Sequence, residues 1–412
     1  MTKRLVVCLD GTWNTPDDKL NPTNVVKIMR AIQHTSDDGT KQITFYDKGV
    51  GTGGPIDRIR GGTFGRGLDD NVRDGYRFLA NNYERGDEIY IFGFSRGAFT
   101  ARSLAGFIGA CGLLTKDTMG KLMRAWNLYR TPEMKRDEDE VRAIRELARS
   151  DLPIKCVGVW DTVGALGIPV ERLKWINRGN YQFHDTTLGA NIHCALHAIA
   201  IDEKRGPFAP TLWQTADHTE PQVVEQVWFP GVHSNIGGSY DDPGLSDLAL
   251  DWMIKRVCKH TKLAFDDGYI PEHIRGKPLG TMYESRSPLY TVSRVLPYQR
   301  VLGGQDHWVR RFFPRTNRPD SGKAFVNEMI HQSALDRFGQ VAPVQHGDKR
   351  WEEKYQPENL IRRARQIAGR RLSRRSDLGA TLGGALRFGC RAVRYREVGY
   401  WAARWLFGLW LG

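Results

Sequence analysis

A serine between two glycines, a histidine in a glycine-rich loop and two aspartates closing apolar runs could together build nucleophilic acyl chemistry. The sharpest of these signals is Gly93-Phe94-Ser95-Arg96-Gly97, preceded by Ile89-Tyr90-Ile91-Phe92 and followed by Ala98-Phe99-Thr100-Ala101-Arg102. This reads as a buried strand, then G-x-S-x-G, then a helix start. The glycines permit a tight turn that holds Ser95 in a strained position with its hydroxyl presented. The new helix aims its first N–H groups and positive end at a developing oxyanion. The bland alternative is a tight turn with no chemistry. The strand-to-helix setting favours the nucleophile.

A serine of ordinary pKa needs a base, and the base needs an orienting acid. Of eleven histidines, His233 is best placed, in Trp228-Phe229-Pro230-Gly231-Val232-His233-Ser234-Asn235-Ile236-Gly237-Gly238. There a strand runs into a loop, and loops beyond the C-terminal ends of strands are where such sites assemble. His193 and His197 lie within an apolar run and are expected to pack or bond internally. Two acids compete for the third role. Asp161 ends Cys156-Val157-Gly158-Val159-Trp160, and Asp202 ends Ala198-Ile199-Ala200-Ile201. Both fit the chain order serine, acid, histidine. Strand counting slightly favours Asp202, but Glu203-Lys204-Arg205 follow it and read as a solvated ion-pairing turn. Spacing leaves both open.

Asp10-Gly11-Thr12-Trp13-Asn14 closes the first apolar run. Its Gly11 and Thr12 N–H groups are candidate oxyanion donors beside the N–H of Arg96. An aspartyl-phosphate role for Asp10 is disfavoured, because the second acid two residues away is missing. Gly49-Val50-Gly51-Thr52-Gly53-Gly54 lacks the G-K-[ST] ending of a phosphate-binding loop and is expected to wall the site.

The elements that must position these residues alternate between strand and helix, which predicts an α/β fold with a mostly parallel sheet and helices on both faces. Strands are expected at Leu5–Leu9, Ile43–Asp47, Glu88–Gly93, Ile154–Trp160, His193–Ile201 and Val224–Phe229. Helices are expected at Asn24–Gln33, Leu68–Tyr83 and Ser246–Lys259. Lys121–Arg130 and Glu138–Ala148 suggest a helical cap inserted at about 112–150. The catalytic domain is expected over 1–260, an irregular extension packed on it over 261–355, and a basic amphipathic helical tail over 356–412.

The chain has 412 residues and a net charge of +13, with 40% hydrophobic and 26% charged residues, which fits a folded globular protein and excludes a disordered one. Six cysteines lie scattered without a CxxC pair, which argues against a zinc ribbon, an iron–sulfur site or a disulfide scaffold. No metal and no organic cofactor is expected. The Leu5–Leu9 run is too short for a cleavable signal, and no stretch offers the ~20 apolar residues of a spanning helix. A cytoplasmic location is expected, with peripheral membrane contact and secretion without a signal peptide as compatible variants.

Charge is concentrated at the end. Residues 361–412 hold twelve arginines and two acids, so the rest of the chain is nearly balanced. Leu378, Leu382 and Leu386 recur every fourth residue, and the terminal Tyr400–Leu411 block is rich in tryptophan and leucine. Arginine with tryptophan on an amphipathic helix suits anionic lipid, each basic residue contributing about 1 kcal/mol near such a surface. A helix packed on the body and a solvated basic face are the alternatives. A nucleic-acid partner is not expected.

Asp10–Asn14, Thr23-Asn24-Val25, Tyr46–Gly53, Gly93–Arg102, Gly158–Gly167, His197–Arg205 with Phe208 and Trp213, and Trp228–Tyr240 together resemble the α/β-hydrolase domain of type VI secretion phospholipase effectors. The resemblance covers about residues 3 to 260, with Ile330–Ser333 a weaker echo. It implies an α/β-hydrolase-like fold, a lipid ester substrate, and a triad in the blocks that carry Ser95, Asp161 and His233, which turns the choice of acid toward Asp161. Asn235 departs from the family, where an acidic residue often follows the His-Ser pair. The implied function is a phospholipase or lipase acting through an acyl-enzyme. A soluble esterase or thioesterase, and a silent hydrolase-like docking domain, are the rival readings.

Overall fold

Lys-Arg-Leu-Val-Val-Cys-Leu opens the fold as β1 (Lys3–Leu9), buried on both faces from its second residue onward. A strand covered on both sides reads as a continuous apolar run, which is why no alternation shows in its sequence. Its side chains still alternate in space. Leu5, Val7 and Leu9 enter one core cluster, and Val6 and Cys8 enter the other.

The computed structural model describes residues 2–11, 21–49, 61–131, 133–150, 152–164, 188–213, 222–286, 299–302 and 327–368. After β1 come α1 (Asn24–Ala31), β2 (Lys41–Asp47), α2 (Gly61–Asn82), β3 (Glu88–Phe94) and α3 (Arg96–Cys111). A short ribbon, β4 (Leu113–Leu114) with β5 (Ala148–Arg149), brackets α4 (Leu122–Arg130) and α5 (Glu138–Glu146). Then follow β6 (Ile154–Trp160), β7 (Cys194–Ala200), β8 (Val223–Phe229), α6 (His233–Gly237), α7 (Gly244–His260) and α8 (Tyr269–His273). The extension adds β9 (Met282–Tyr283), β10 (Glu328–Ile330), α9 (Gln332–Arg337), β11 (Val341–His346), β12 (Lys349–Lys354) and α10 (Glu358–Ala368).

Seven strands form one sheet in the order β10-β8-β7-β6-β3-β1-β2, every neighbouring pair parallel. Helices cover both faces: α2, α3, α4 and α5 contribute to one cluster, α1 and α7 to the other. This is an α/β-hydrolase-like fold. The inserted α4 and α5 pack against α3, where Trp126 meets Phe107 edge-on at 5.3 Å. Asp137 caps α5 by accepting from the N–H groups of Asp139 and Glu140, and the acids of its first turn suit the positive helix end.

The elements expected from the sequence fall within a few residues of those observed, except that α2 begins at Gly61, seven residues before the expected start at Leu68. The run beginning at His193 is shorter than expected: the strand starts at Cys194, and His193 before it is exposed. The segment expected to be irregular holds a seventh sheet strand, β10, and a separate three-stranded sheet, β12-β11-β9. The chain divides into two units, residues 1–359 and 360–412, and of the second only the helical residues to 368 are described. The arginine- and tryptophan-rich tail beyond lies outside the described residues.

Candidate active site

Ser95 sits at the hinge between β3 and α3 with φ 59° and ψ −119°, a conformation that L residues adopt only under constraint. Its neighbours explain the flanking glycines. A Cβ on Gly93 would lie 2.5 Å from the Gly97 carbonyl oxygen, and one on Gly97 would overlap the Leu9 carbonyl oxygen. The turn therefore tolerates no side chain on either side. The Ser95 N–H donates to the Trp160 carbonyl at 3.0 Å, fixing the turn to the end of β6. Arg96 is the first residue of α3, so its N–H stands at the positive helix end.

β6 ends one residue before Asp161, whose φ is 41°. β8 ends four residues before His233, which opens the short helix α6. Gly231, at φ 115°, turns the chain between them. These two strand ends bring the three side chains into one line. His233 Nε2 lies 2.8 Å from Ser95 Oγ, and His233 Nδ1 lies 2.6 Å from Asp161 Oδ2. All three are buried. His233 is flanked by the Phe94 and Phe208 rings, each centred 4.8 Å away, and Arg205 stacks on Phe208 at 3.5 Å.

Burial lowers the His233 pKa below its ordinary value, against the pull of Asp161. Burial alone would raise Asp161, but the Arg300 guanidinium and His233 outweigh it and hold the carboxyl well below the usual carboxylate range. A neutral imidazole beside an ionised carboxylate is the protonation state a general base requires. With Asp161 ionised, Nδ1 carries the proton and Nε2 faces the serine hydroxyl as acceptor.

Asp202 stands apart from this line. Its Oδ2 accepts from the Gly231 N–H at 2.7 Å and the Tyr355 hydroxyl at 2.9 Å, so it braces the turn that leads to His233. Burial pushes its carboxyl up. The turn after it is not the solvated ion pair expected from its sequence. Glu203 is 1% exposed and accepts from Arg205, from Ser285 Oγ at 3.0 Å and from the His233 N–H at 3.3 Å. A carboxylate with that many donors nearby is stable without water, which a run of three charged residues does not reveal.

Of the oxyanion candidates, Gly11 donates its N–H to Asp10 Oδ1 at 2.6 Å, and Asp10 Oδ2 accepts from Thr23 and Tyr46. Thr12 and most of the 49–54 loop lie outside the described residues. His197 is fully buried, and its Nε2 accepts from the Thr162 N–H at 3.2 Å. Asn235 has a structural reason to be an amide: its Oδ1 accepts from the Val232 and Tyr283 N–H groups while its Nδ2 donates to the Thr281 carbonyl at 3.1 Å. An ionised carboxylate there has no proton for Thr281. Among the described residues no group of His, Cys, Asp and Glu is arranged to hold a metal.

One residue escaped the sequence reading altogether. Arg300, wholly buried, donates from Nη1 to Asp161 Oδ1 at 2.6 Å and from Nη2 to Oδ2 at 3.0 Å. The same two nitrogens donate to the Ala200 carbonyl at 2.8 Å and the Phe208 carbonyl at 2.6 Å. Nothing in Tyr298–Leu302 marks this arginine among the many others of the chain.

Residues 3–256 match the family described as the catalytic domain of Tle1-like type VI secretion phospholipase effectors. An uncharacterized protein of Saccharomyces cerevisiae is 29% identical over 232 residues, covering 50% of this chain and 32% of that one, so the chain spans about a third of that relative's length. Among solved structures, an uncharacterized protein from Pseudomonas aeruginosa aligns at 18% identity and a TM-score of 0.43, over 67% of this chain and 49% of the other. The Tle1 effector bound to the VgrG spike of the type VI secretion system aligns at 16% identity and a TM-score of 0.33, over 59% and 52%.

Proposed function

The chain belongs, through residues 3–256, to the Tle1-like family of type VI secretion phospholipase effectors, and from this we propose that Ser95, His233 and Asp161 hydrolyse a carboxylic ester of a phospholipid. The observation that supports the serine mechanism most is the unbroken line of hydrogen bonds from Asp161 through His233 to Ser95, at 2.6 and 2.8 Å. His233 Nε2 takes the Ser95 proton as Oγ attacks the ester carbonyl. The tetrahedral oxyanion is stabilised by the Arg96 N–H at the start of α3. The Gly11 N–H is engaged by Asp10 in the resting site, and Gly11 and Thr12 stay the candidates for a second donor. Collapse expels the alcohol with the proton from His233. Water, deprotonated by the same imidazole, then releases the fatty acid from the acyl-enzyme.

The basic segment 361–412 supports a second, separable part of this reading, peripheral contact with anionic lipid. No helix among the described residues is long and apolar enough to cross a membrane.

The test is fatty-acid release from anionic phospholipid vesicles by the wild type, by Ser95→Ala and by a chain ending at Ala368, which keeps α10, with a short-chain soluble ester in parallel. We expect wild type to cleave both substrates and Ser95→Ala to lose about 10⁴-fold or more. The shortened chain should keep the soluble activity and lose vesicle activity. Cleavage of the soluble ester alone would leave an esterase or thioesterase. Equal inertness of wild type and Ser95→Ala on both substrates would leave a silent binding domain.

A further inference from the structure

The triad acid is held from outside the family's catalytic domain. That domain ends at residue 256, whereas Arg300 comes 139 positions after the aspartate it grips. Its guanidinium meets both carboxylate oxygens, one N–H on each, and its remaining Nη hydrogens go to the Ala200 and Phe208 carbonyls. Such a fork fixes the plane of a carboxylate in a way that a lysine's single ammonium cannot. The plane matters because Oδ2 must also accept from His233 Nδ1, and that bond sets the direction in which Nε2 faces Ser95.

The second consequence is electrostatic. Asp161 and Arg300 are both fully buried, so their opposite charges interact through little water. A buried carboxylate with an imidazole as its only partner is pushed toward its neutral form by desolvation. A permanently charged arginine removes that pressure. It also takes up part of the carboxylate's field, so the imidazolium at His233 is stabilised less than beside an unshared carboxylate.

We propose that Arg300 is a positioning residue of the triad, acting through Asp161 to fix the carboxylate plane and to keep the His233 imidazole neutral at lower pH. This rests on the serine-triad reading above. Other grips from the same extension run alongside it: Tyr355 on Asp202, Ser285 on Glu203, and the Thr281 carbonyl on Asn235. The charged groups that face His233 are Asp161 at the end of β6, Glu203 and Arg205 in the turn after β7, and Arg300 behind Asp161. Glu203 and Arg205 are paired with each other, whereas Arg300 is paired with the carboxylate that His233 itself contacts, so its charge reaches His233 through Asp161.

The experiment is the rate at which Ser95 of the full chain is labelled by a fluorophosphonate probe across pH, for wild type, Arg300→Gln and Arg300→Lys. This readout needs no knowledge of the natural lipid. For Arg300→Gln we expect labelling to fall on the order of 10²-fold and the acid limb of the profile to move up by about one pH unit. Arg300→Lys keeps the charge and loses the fork, so its limb should stay with wild type while its rate falls about tenfold. A slower Arg300→Gln with an unmoved limb would reduce Arg300 to a structural role and overturn the proposal. So would an Arg300→Lys that labels at the wild-type rate, which keeps the question answerable if the glutamine variant does not fold. Absence of labelling at Ser95 in wild type would instead remove the serine reading itself.

Discussion

Two aspartates stand at the ends of neighbouring parallel strands, Asp161 after β6 and Asp202 after β7, both buried and both hydrogen-bonded to the backbone of the sheet's far end. Their surroundings part them. Asp161 shares its oxygens with Arg300 and His233, and its carboxyl is held well below the usual range. Asp202 receives a backbone N–H and a tyrosine hydroxyl, and burial pushes its carboxyl up. Residue type and position in the topology are the same, so the partners decide which acid can hold an imidazole. A donor-rich pocket with a cation keeps a carboxylate charged, while two neutral donors brace a loop.

The sharpest way to break this contrast is to neutralise each acid in turn. Asp161→Asn leaves a side chain that no longer holds Nδ1–H, and should lower ester hydrolysis by about 10⁴-fold through the wrong tautomer. Asp202→Asn touches neither Ser95 nor His233. A lost hydrogen bond of about 1 kcal/mol, even if felt wholly in the transition state, costs no more than about tenfold. Steady-state rates of the two variants on a soluble ester decide it. A larger loss at position 202 would exchange the roles, and equal losses would erase the contrast.

The sequence made the proposed nucleophile and base legible because the placements of Ser95 and His233 depend on local residues. Gly93 and Gly97 are where a Cβ cannot fit, and the strand-turn-helix context around Ser95 is contiguous. His233 follows the same logic at the end of β8. The choice between Asp161 and Asp202 was not legible in spacing, because the groups that separate them arrive 139 and 153 residues downstream. The resemblance to a family turned that choice toward Asp161. It gave no hint of Arg300, which lies beyond the resembling region. The extension itself hid for a different reason. β9 has two residues and β10 three, too short for a period to show, and β12 is exposed along its whole length, so apolar alternation is absent. The charged turn at Glu203 misled in the opposite way, since its burial depends on Ser285 and the His233 N–H, neither of them near in sequence.

The contrast sharpens in stability as a function of pH. A carboxyl whose folded-state pKa is raised contributes stability that is full below its ordinary value and is lost as pH rises through the raised one. Asp202 is of that kind. Asp161 is the reverse: its contribution is present above the ordinary value and lost as pH falls through the depressed one. Asp202→Asn should therefore destabilise more at about pH 4 than at about pH 8, and denaturant unfolding at the two pH values measures the difference. A cost that grows with pH would mean that Asp202 is held charged, as Asp161 is.

The smallest effect belongs to the brace behind Asp202. Tyr355→Phe removes one hydroxyl from the Asp202 carboxyl and keeps the ring, which Arg337 stacks upon at 5.2 Å. The Gly231 N–H still donates, so the loop before His233 is weakened and not released. The expected loss is about 1 kcal/mol of stability with ester hydrolysis nearly unchanged. If the hydroxyl acts only through Asp202, the loss should shrink in an Asp202→Asn background, as expected of two groups in direct contact. Thermal unfolding of both single variants and the double variant closes that cycle. Full additivity would mean that Tyr355 steadies the extension by its ring and that the bond to Asp202 is incidental.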